Sequence, residues 1–347
     1  MQQKHTLLRP DTAMWRKALA GIPRVKDKSQ WDALDPLSRW LISTRAAVLL
    51  MTLFAGIIAG MYAQMAGHFD WLRFVVLLVG LLMAHAANNI LNDLTDHRRG
   101  IDKNNAFRTQ YGTQPVEQGF MSVGQSRRMA FLTALIGALA GIWLVLASGT
   151  TVLWFFLVGI VLLFAYNWPL KHIGLGEPLV VVVWGPMMIG GGFLAITGFW
   201  SWDVAIASLP YALGPTAVLF GKHIDKIPWD KPRKVRTFPV IIGHLAARRT
   251  TMLLFALQYL VVFYLIATGF FSVALLLVLV ALPYYLGTIR RVFTKPTPEE
   301  CPSDYPKDAW PLWYSSYAFV HNRKFGGMFM LGLIVHMVLA YFGVTIF

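Results

Sequence analysis

Charge is what this chain has least of. Asp, Glu, Lys and Arg make up 14% of its 347 residues, against about 25% in a soluble protein of ordinary composition. That shortage excludes a water-soluble chain of this length, and no polar stretch is long enough for a separate soluble domain. Acid is scarcer still: 17 Asp and Glu stand against 31 Lys and Arg, a formal net charge of +14. Cysteine is nearly absent, and the lone Cys301 excludes an intrachain disulfide.

What is there in quantity is apolar sequence, 56% of the chain. It comes in blocks near the roughly 20 residues that cross a bilayer as a helix. Nine spans are read: Ile42–Met65, Trp71–Leu91, Met129–Ser148, Val152–Trp168, Leu179–Phe199, Val204–Phe220, Thr251–Thr268, Phe270–Ile289 and Met328–Phe347. The sequence therefore predicts an all-α membrane protein of nine transmembrane helices. Residues 1–40 form a polar, basic N-terminal segment, and 41–347 a single membrane domain. Within the segment, Leu7–Trp31 mixes Leu, Trp and Ile with Lys and Arg, a pattern read as a helix on the membrane surface or a partly ordered tail. The first apolar run is too long for the core of a cleavable signal and reads as a retained anchor.

The basic residues fall almost entirely on one side of these spans. By this division 30 of the 31 Lys and Arg lie on one face, leaving Arg73 alone on the other. The positive-inside rule makes the basic face cytoplasmic, with the N-terminus inside and the C-terminus outside at a plasma or inner membrane. The charge then reflects topology and attraction to anionic lipid, and nucleic acid is excluded as a partner. Outer loops are a few residues long; the inner ones, Asn92–Arg128, Gly221–Thr250 and Arg290–Gly327, are long, which places the working surface in the cytoplasm. Asp308–Lys324, rich in Trp and Tyr, reads as an interfacial segment, and as a lid or a lipid entry. Gly56 with Gly60 and Gly137 with Gly141 are GxxxG pairs for close helix packing. Gly190-Gly191-Gly192 reads as close packing or as room for a lipid chain.

Acids cluster where the shortage makes them conspicuous. Span two ends in Asn88-Asn89-Ile90-Leu91-Asn92-Asp93-Leu94-Thr95-Asp96, and Asp102 follows a turn at Gly100. Asp93 and Asp96 are three apart and share a helix face; Asn88 and Asn92 occupy a neighbouring stripe. Span six ends in Gly221-Lys222-His223-Ile224-Asp225, with Asp230 beyond. The two acidic segments are four spans apart and so on the same face, where two half-structures are expected to meet over one cavity. Charge at membrane depth is costly and usually functional, and clustered carboxylates need a cation among them. Oxygen-only ligands suit Mg²⁺, which takes one or two carboxylates plus substrate phosphates. Arg98, Arg99, Lys103, Arg108, Lys171, Lys222, Lys226 and Arg236 share that side, and carboxylates with Mg²⁺ and bases make a diphosphate site. For any one base, a solvated loop obeying the positive-inside rule is the simpler reading.

Asn92-Asp93-x-x-Asp96, followed by Asp102, resembles the first aspartate motif of the UbiA superfamily of intramembrane prenyltransferases. The resemblance covers residues 39–347. The gap from Asp96 to Asp102 through Arg99-Gly100, and Gly174-Leu175-Gly176-Glu177 before span five, are similar to the 1,4-dihydroxy-2-naphthoate polyprenyltransferases. Tyr166 and Lys171 are similar to a Tyr and Lys that many members carry after span four. The second motif departs. Members commonly show DxxxD followed by Gly, Lys and Thr; here Asp225 and Asp230 are five apart. Five residues turn a helix by about 500°, leaving the carboxylates about 140° apart. Pro228 is expected to break or kink the helix so that both converge. Lys222 and His223 stand where the menaquinone branch has asparagines.

The resemblance implies a UbiA-like helix bundle with cytoplasmic cap loops. It implies transfer of an isoprenyl group from its diphosphate to an aromatic, quinone-precursor-like acceptor in the membrane. Mg²⁺ held by Asp93, Asp96, Asp225 and Asp230 would clamp the diphosphate. Arg108, Lys171, Lys222 and Arg236 would stabilise the leaving diphosphate, with Asn88, Asn92, Arg99 and Asp102 at the substrate. Tyr166, Trp168 and Trp184 would face the allylic cation; Asp102 and Glu177 are weak candidates for a base, and His85 reads as a packed polar residue. Alternatives are a terpene cyclase acting on the prenyl diphosphate alone, transfer to a non-aromatic lipid acceptor and, below these, a transporter, whose ion sites usually lie near midplane.

Overall fold

The structure, a computed structural model, describes residues 9–21, 23–100, 112–307 and 309–343. Among the described residues the ordered elements are helical, and the one β-type contact is an isolated bridge between Ile173 and Arg236. Three short helices lead: α1 (Thr12–Ala20), α2 (Lys28–Asp32) and α3 (Pro36–Ser43). The apolar helices follow as α4 (Ala46–Met65), α5 (Trp71–Arg98), α6 (Val123–Ser148), α7 (Thr150–Asn167), α8 (Gly176–Thr197) and α9 (Trp202–Asp230). Then come the five-residue α10 (Phe238–Ile242), α11 (His244–Ala267), α12 (Val273–Thr294) and α13 (Trp313–Tyr341). Eight of these are long and apolar enough to cross a membrane; α7, apolar but shorter, is the ninth of the expected runs.

Boundaries moved where polar residues sit on a buried face. α9 runs through Pro228 to Asp230, ten residues past the expected end at Phe220. α13 begins at Trp313 rather than Met328, so most of the expected interfacial segment, from Trp313 to Lys324, is the start of the last helix. The hydropathy window broke at His321-Asn322-Arg323-Lys324, yet His321 is fully buried and accepts its place through Tyr259, whose hydroxyl lies 3.0 Å from Nε2. Burial against protein carries His321 inside the helix, while Arg323 and Lys324 beside it are exposed.

The chain divides into two compact units, Met1–Leu53 with Val79–Leu139, and Phe54–Leu78 with Ala140–Phe347. In the first, the N-terminal helices pack inward rather than lying free. Trp31 is buried and stacks on Phe120 at 5.9 Å, with Ala18, Leu34, Leu41 and Ile42 in the same cluster. Thr113 Oγ1 accepts from Val25 N–H and donates to Pro23 O, both at 2.8 Å. Asp35 starts α3 as its N-cap, accepting from the Leu37 and Ser38 amides and the Ser38 hydroxyl, with Pro36 at the first helical position. Gly137 lets α6 approach α5: a Cβ there would sit 3.2 Å from Ala84 N and 3.4 Å from Gly80 O.

In the second unit α9 packs along both α11 and α13 around Phe255, Phe293, Ile224 and Tyr314. α8 carries a π-helical stretch, Val183–Gly190, about Pro186, whose missing N–H and ring disturb the regular ladder. The triple glycine after it is filled by neighbours: a Cβ on Gly190, Gly191 or Gly192 would meet Trp200, Phe155 or Leu77 within 3.0 Å. Of the two readings offered for these glycines, close packing is the one the neighbouring rings occupy. Arg73, alone on its face in the sequence, donates to Ala147 O and Ile196 O near the last turns of α6 and α8. A cation there offsets the negative ends of two helices.

Candidate active site

The first acidic end belongs to the first unit. Asp93 and Asp96 lie on α5 at 9% and 2% exposure, so both carboxylates are withdrawn from bulk water. A cation balances them, as burial demands: Arg45 Nη2 forms an ion pair with Asp93 Oδ1. Arg45 sits in the turn between α3 and α4 at φ +53°, left-handed backbone that a non-glycine residue rarely adopts. Asn89 fixes that turn by donating from Nδ2 to Thr44 O at 2.8 Å. The sequence reading missed both Arg45 and Asn89. The signal for Asn89 was present, since counting four back from Asp93 and three forward to Asp96 puts all three on one face. Arg45 was counted only as topology.

Around this end, His97 Nδ1 meets Glu117 Oε2 at 2.5 Å, holding the last turn of α5 to the following segment. Asn88 and Asn92 are half-buried and Arg99 is exposed at the helix terminus. His85 Nδ1 lies 2.7 Å from Thr52 Oγ1, the packed arrangement expected of it. The assignments to Asp102 and Arg108 lie outside the described residues.

The second acidic end belongs to the second unit and differs in kind. Pro228 does not break α9. Placed in its last turn, the proline removes one amide close to an end where the chain is already finishing. With the helix intact, Asp225 and Asp230 keep the separation of about 140° that their spacing dictates, and they have different partners. Asp225 Oδ1 accepts from Tyr314 N–H at 2.8 Å; its Oδ2 accepts from Ser315 N–H at 2.9 Å and Ser315 Oγ at 2.7 Å. This carboxylate caps the start of α13. Gly221, one turn earlier, makes the approach possible: a Cβ there would lie 2.9 Å from Tyr314 O and 3.0 Å from Ser315 N. Asp230 is 1% exposed and has Lys226 Nζ 3.1 Å from Oδ1. That contact is an ion pair without hydrogen-bond angles, so among the described residues neither Asp230 oxygen accepts a hydrogen bond.

Lys171 and Tyr166 are brought together. A Cβ on Gly176 would stand 3.3 Å from Lys171 Cα and 3.7 Å from Tyr166 Cε2, so that glycine seats both residues. Lys171 is buried and Tyr166 half-buried. Two residues past Lys171, Ile173 pairs as an isolated bridge with Arg236, whose side chain is exposed; Lys222 is half-buried on α9. Trp168 is exposed, the placement of an interfacial ring, and Trp184 is half-buried. Glu177, fully buried, holds His223 at 2.5 Å through Oε1 and accepts from Phe238 N–H at 3.2 Å through Oε2. No local pattern signals this pairing, because its partners are 46 residues apart.

Oxygen donors dominate both ends, and among the described residues no three or more His, Cys, Asp or Glu gather as a preformed cage. The donor set that fits a divalent ion is the Asp93–Asp96 face. Two carboxylates with the remainder supplied by water and phosphate is how Mg²⁺ usually binds.

Comparison with known proteins bears on this arrangement. The UbiA prenyltransferase family model matches residues 49–322, which include both acidic ends. The Drosophila melanogaster UbiA prenyltransferase domain-containing protein 1 homolog is 26% identical over 234 residues, 67% of this chain and 63% of that protein. The chain thus spans somewhat less than two thirds of that relative's length. The 1,4-dihydroxy-2-naphthoate octaprenyltransferase of Escherichia coli is 26% identical over 219 residues, 60% of this chain and 70% of that enzyme. A solved UbiA homolog from Archaeoglobus fulgidus, bound to GPP and Mg²⁺, superposes with a TM-score of 0.52 at 14% identity, covering 84% of this chain and 99% of that one.

Proposed function

Since the chain belongs to the UbiA prenyltransferase family, we propose that it is an intramembrane prenyltransferase that joins an isoprenyl group to an aromatic, quinone-precursor-like acceptor. The donor is an isoprenyl diphosphate and the reaction requires Mg²⁺. One observation carries this reading: Asp93 and Asp96, buried on one face at the end of an apolar helix, offer paired carboxylates where charge is otherwise scarce. The naphthoate specificity of the Escherichia coli relative supports the aromatic acceptor.

In the reaction, the allylic C1–O bond breaks and its electron pair leaves with the diphosphate. An acceptor ring carbon then bonds to C1 and loses its proton. Bound Mg²⁺ would supply charge neutralisation to the departing diphosphate. Asp93 and Asp96 would hold it, with Asn88, Asn92, Arg99, Asp102 and Arg108 completing the substrate contacts of that motif. Lys171, Lys222 and Arg236 would donate to phosphate oxygens as charge develops. Tyr166, seated beside Lys171, would turn a π face to the allylic cation. Residues 1–40 accompany a single catalytic domain spanning 41–347. By the distribution of Lys and Arg, the site and the N-terminus face the cytoplasm and the C-terminus lies outside.

Pyrophosphate release by the purified protein tests the proposal, using geranylgeranyl diphosphate with and without dihydroxynaphthoate, beside Asp93→Ala. Release that needs Mg²⁺, Asp93 and the naphthoate is expected. Release without acceptor would replace the transferase by a cyclase. No release with any prenyl length or acceptor would end the enzyme reading.

A further inference from the structure

The second acidic end does not present two carboxylates to a ligand. Asp225 has three hydrogen bonds from the first turn of α13, two from amides and one from a hydroxyl, and they use both of its oxygens. The same chain builds the same motif elsewhere: Asp35 takes the Leu37 and Ser38 amides and the Ser38 hydroxyl to start α3. An N-cap carboxylate is worth keeping in place, because α13 is 29 residues long and its first amides would otherwise be buried without acceptors. A metal bound by both oxygens of Asp225 would compete with the α13 donors for the carboxylate's lone pairs, of which three are already committed.

Asp230 is the opposite case. Its two oxygens are buried and accept no hydrogen bond among the described residues. Counting back four residues, the spacing that puts two side chains on one helix face, reaches Lys226 and not Asp225. Lys226 is itself 5% exposed, and its Nζ stands 3.1 Å from Asp230 Oδ1. The departure noted in the sequence, five residues between aspartates, is thus a K-x-x-x-D motif with an unrelated aspartate before it. A lysine occupies the position from which a second carboxylate would face Asp230.

We propose that the second motif meets the substrate's diphosphate with the Lys226 ammonium, oriented by Asp230, and holds no metal ion of its own. Metal binding then resides in the first motif alone, and Asp225 is a positioning residue for α13. Burial makes this lysine effective, since a charge-assisted hydrogen bond to phosphate is stronger where water is excluded. The inference rests on the prenyl diphosphate reading given above.

The test counts metal. Full-length protein in nanodiscs is titrated with Mn²⁺, read by EPR, in the presence of geranylgeranyl thiodiphosphate. The number of bound Mn²⁺ is expected to stay at the wild-type value in Asp225→Asn and Asp230→Asn, and to fall in Asp93→Asn. Lys226→Asp, which creates a D-x-x-x-D pair, is expected to gain one ion. Lys226→Met is expected to weaken thiodiphosphate binding by roughly 10- to 100-fold, the range of one charge-assisted hydrogen bond, with the Mn²⁺ count unchanged. Loss of an ion in Asp225→Asn or Asp230→Asn, with thiodiphosphate still bound, overturns the proposal. So does Lys226→Met that binds the analogue as well as wild type. Wild-type protein that binds neither Mn²⁺ nor the analogue would instead overturn the diphosphate reading beneath it.

Discussion

α5 and α9 are near twins by composition, 28 and 29 residues long, both apolar for most of their length and both closing on a pair of aspartates. Their acidic ends behave differently because of spacing and neighbours. Three residues separate Asp93 from Asp96, which keeps them on one face; five separate Asp225 from Asp230, which turns them apart. At the first end the balancing cation, Arg45, comes from outside the helix and meets an aspartate of the pair. At the second, Lys226 comes from within it and leaves Asp225 to cap another helix. Two aspartates at one helix end therefore need not share their partners.

The largest effect that separates the two ends is on turnover. Asp93→Ala or Asp96→Ala is expected to lower pyrophosphate release by at least about 100- to 1,000-fold, the range for removing one element of transition-state electrostatics. Asp225→Asn keeps an oxygen for the α13 amides and is expected to stay within roughly tenfold of wild type, the size of one weakened hydrogen bond. Equal losses in Asp93→Ala and Asp225→Asn would erase the distinction drawn between them.

Stability should show the reverse order. Asp225→Ala removes the cap of α13 and is expected to cost about 2 kcal/mol, the upper range for an N-cap in a buried setting. Gly221→Ala attacks the same contact from the other side. Its Cβ would press on the backbone of Tyr314 and Ser315, which cannot rotate away, at a cost of about 1–3 kcal/mol. Thermal unfolding in detergent reads both. A tolerant Gly221→Ala would mean that α13 does not depend on its close seat against α9.

Much of this is legible in the sequence. Apolar length gave the spans, because the bilayer thickness and the helix rise leave little freedom. The spacing of Asp93 and Asp96 put them on one helix face, where both are buried. What was not legible has two origins: the partners of Asp225 and of Asp93 are distant in sequence, and the Lys226–Asp230 pair, four residues apart, was passed over for the pairing of two aspartates. Lys226 and Asp230 were both noted, but as one base among many and one acid of a pair, since nothing local says which aspartate α13 will claim. The 90 residues between Asp225 and Ser315 hide that claim. Pro228 misled for a related reason, its local tendency to break a helix yielding to the packing of a buried α9. Arg45 was invisible because its pairing depends on a left-handed turn that no motif announces.

The smallest predicted effect uses Asp35 as the reference for an aspartate engaged wholly by protein donors, its own helix start among them. Burial alone would raise its pKa; the Ser38 hydroxyl and amide, the Asp11 amide and the Trp15 indole outweigh it and hold the carboxyl down at about 2. Its ordinary value is about 3.9, so the folded value lies below the unfolded one. The stabilisation is then complete above about pH 4 and is lost as pH falls towards about 2. Hydrogen exchange in α1–α3, corrected for intrinsic rates, should lose protection across that window in wild type. Asp35→Asn should start about 1 kcal/mol less protected at neutral pH, the usual worth of a cap, and stay flat on acidification. A wild-type profile equally flat would show that Asp35 does not cap as charge, and would weaken its use as the pattern for Asp225.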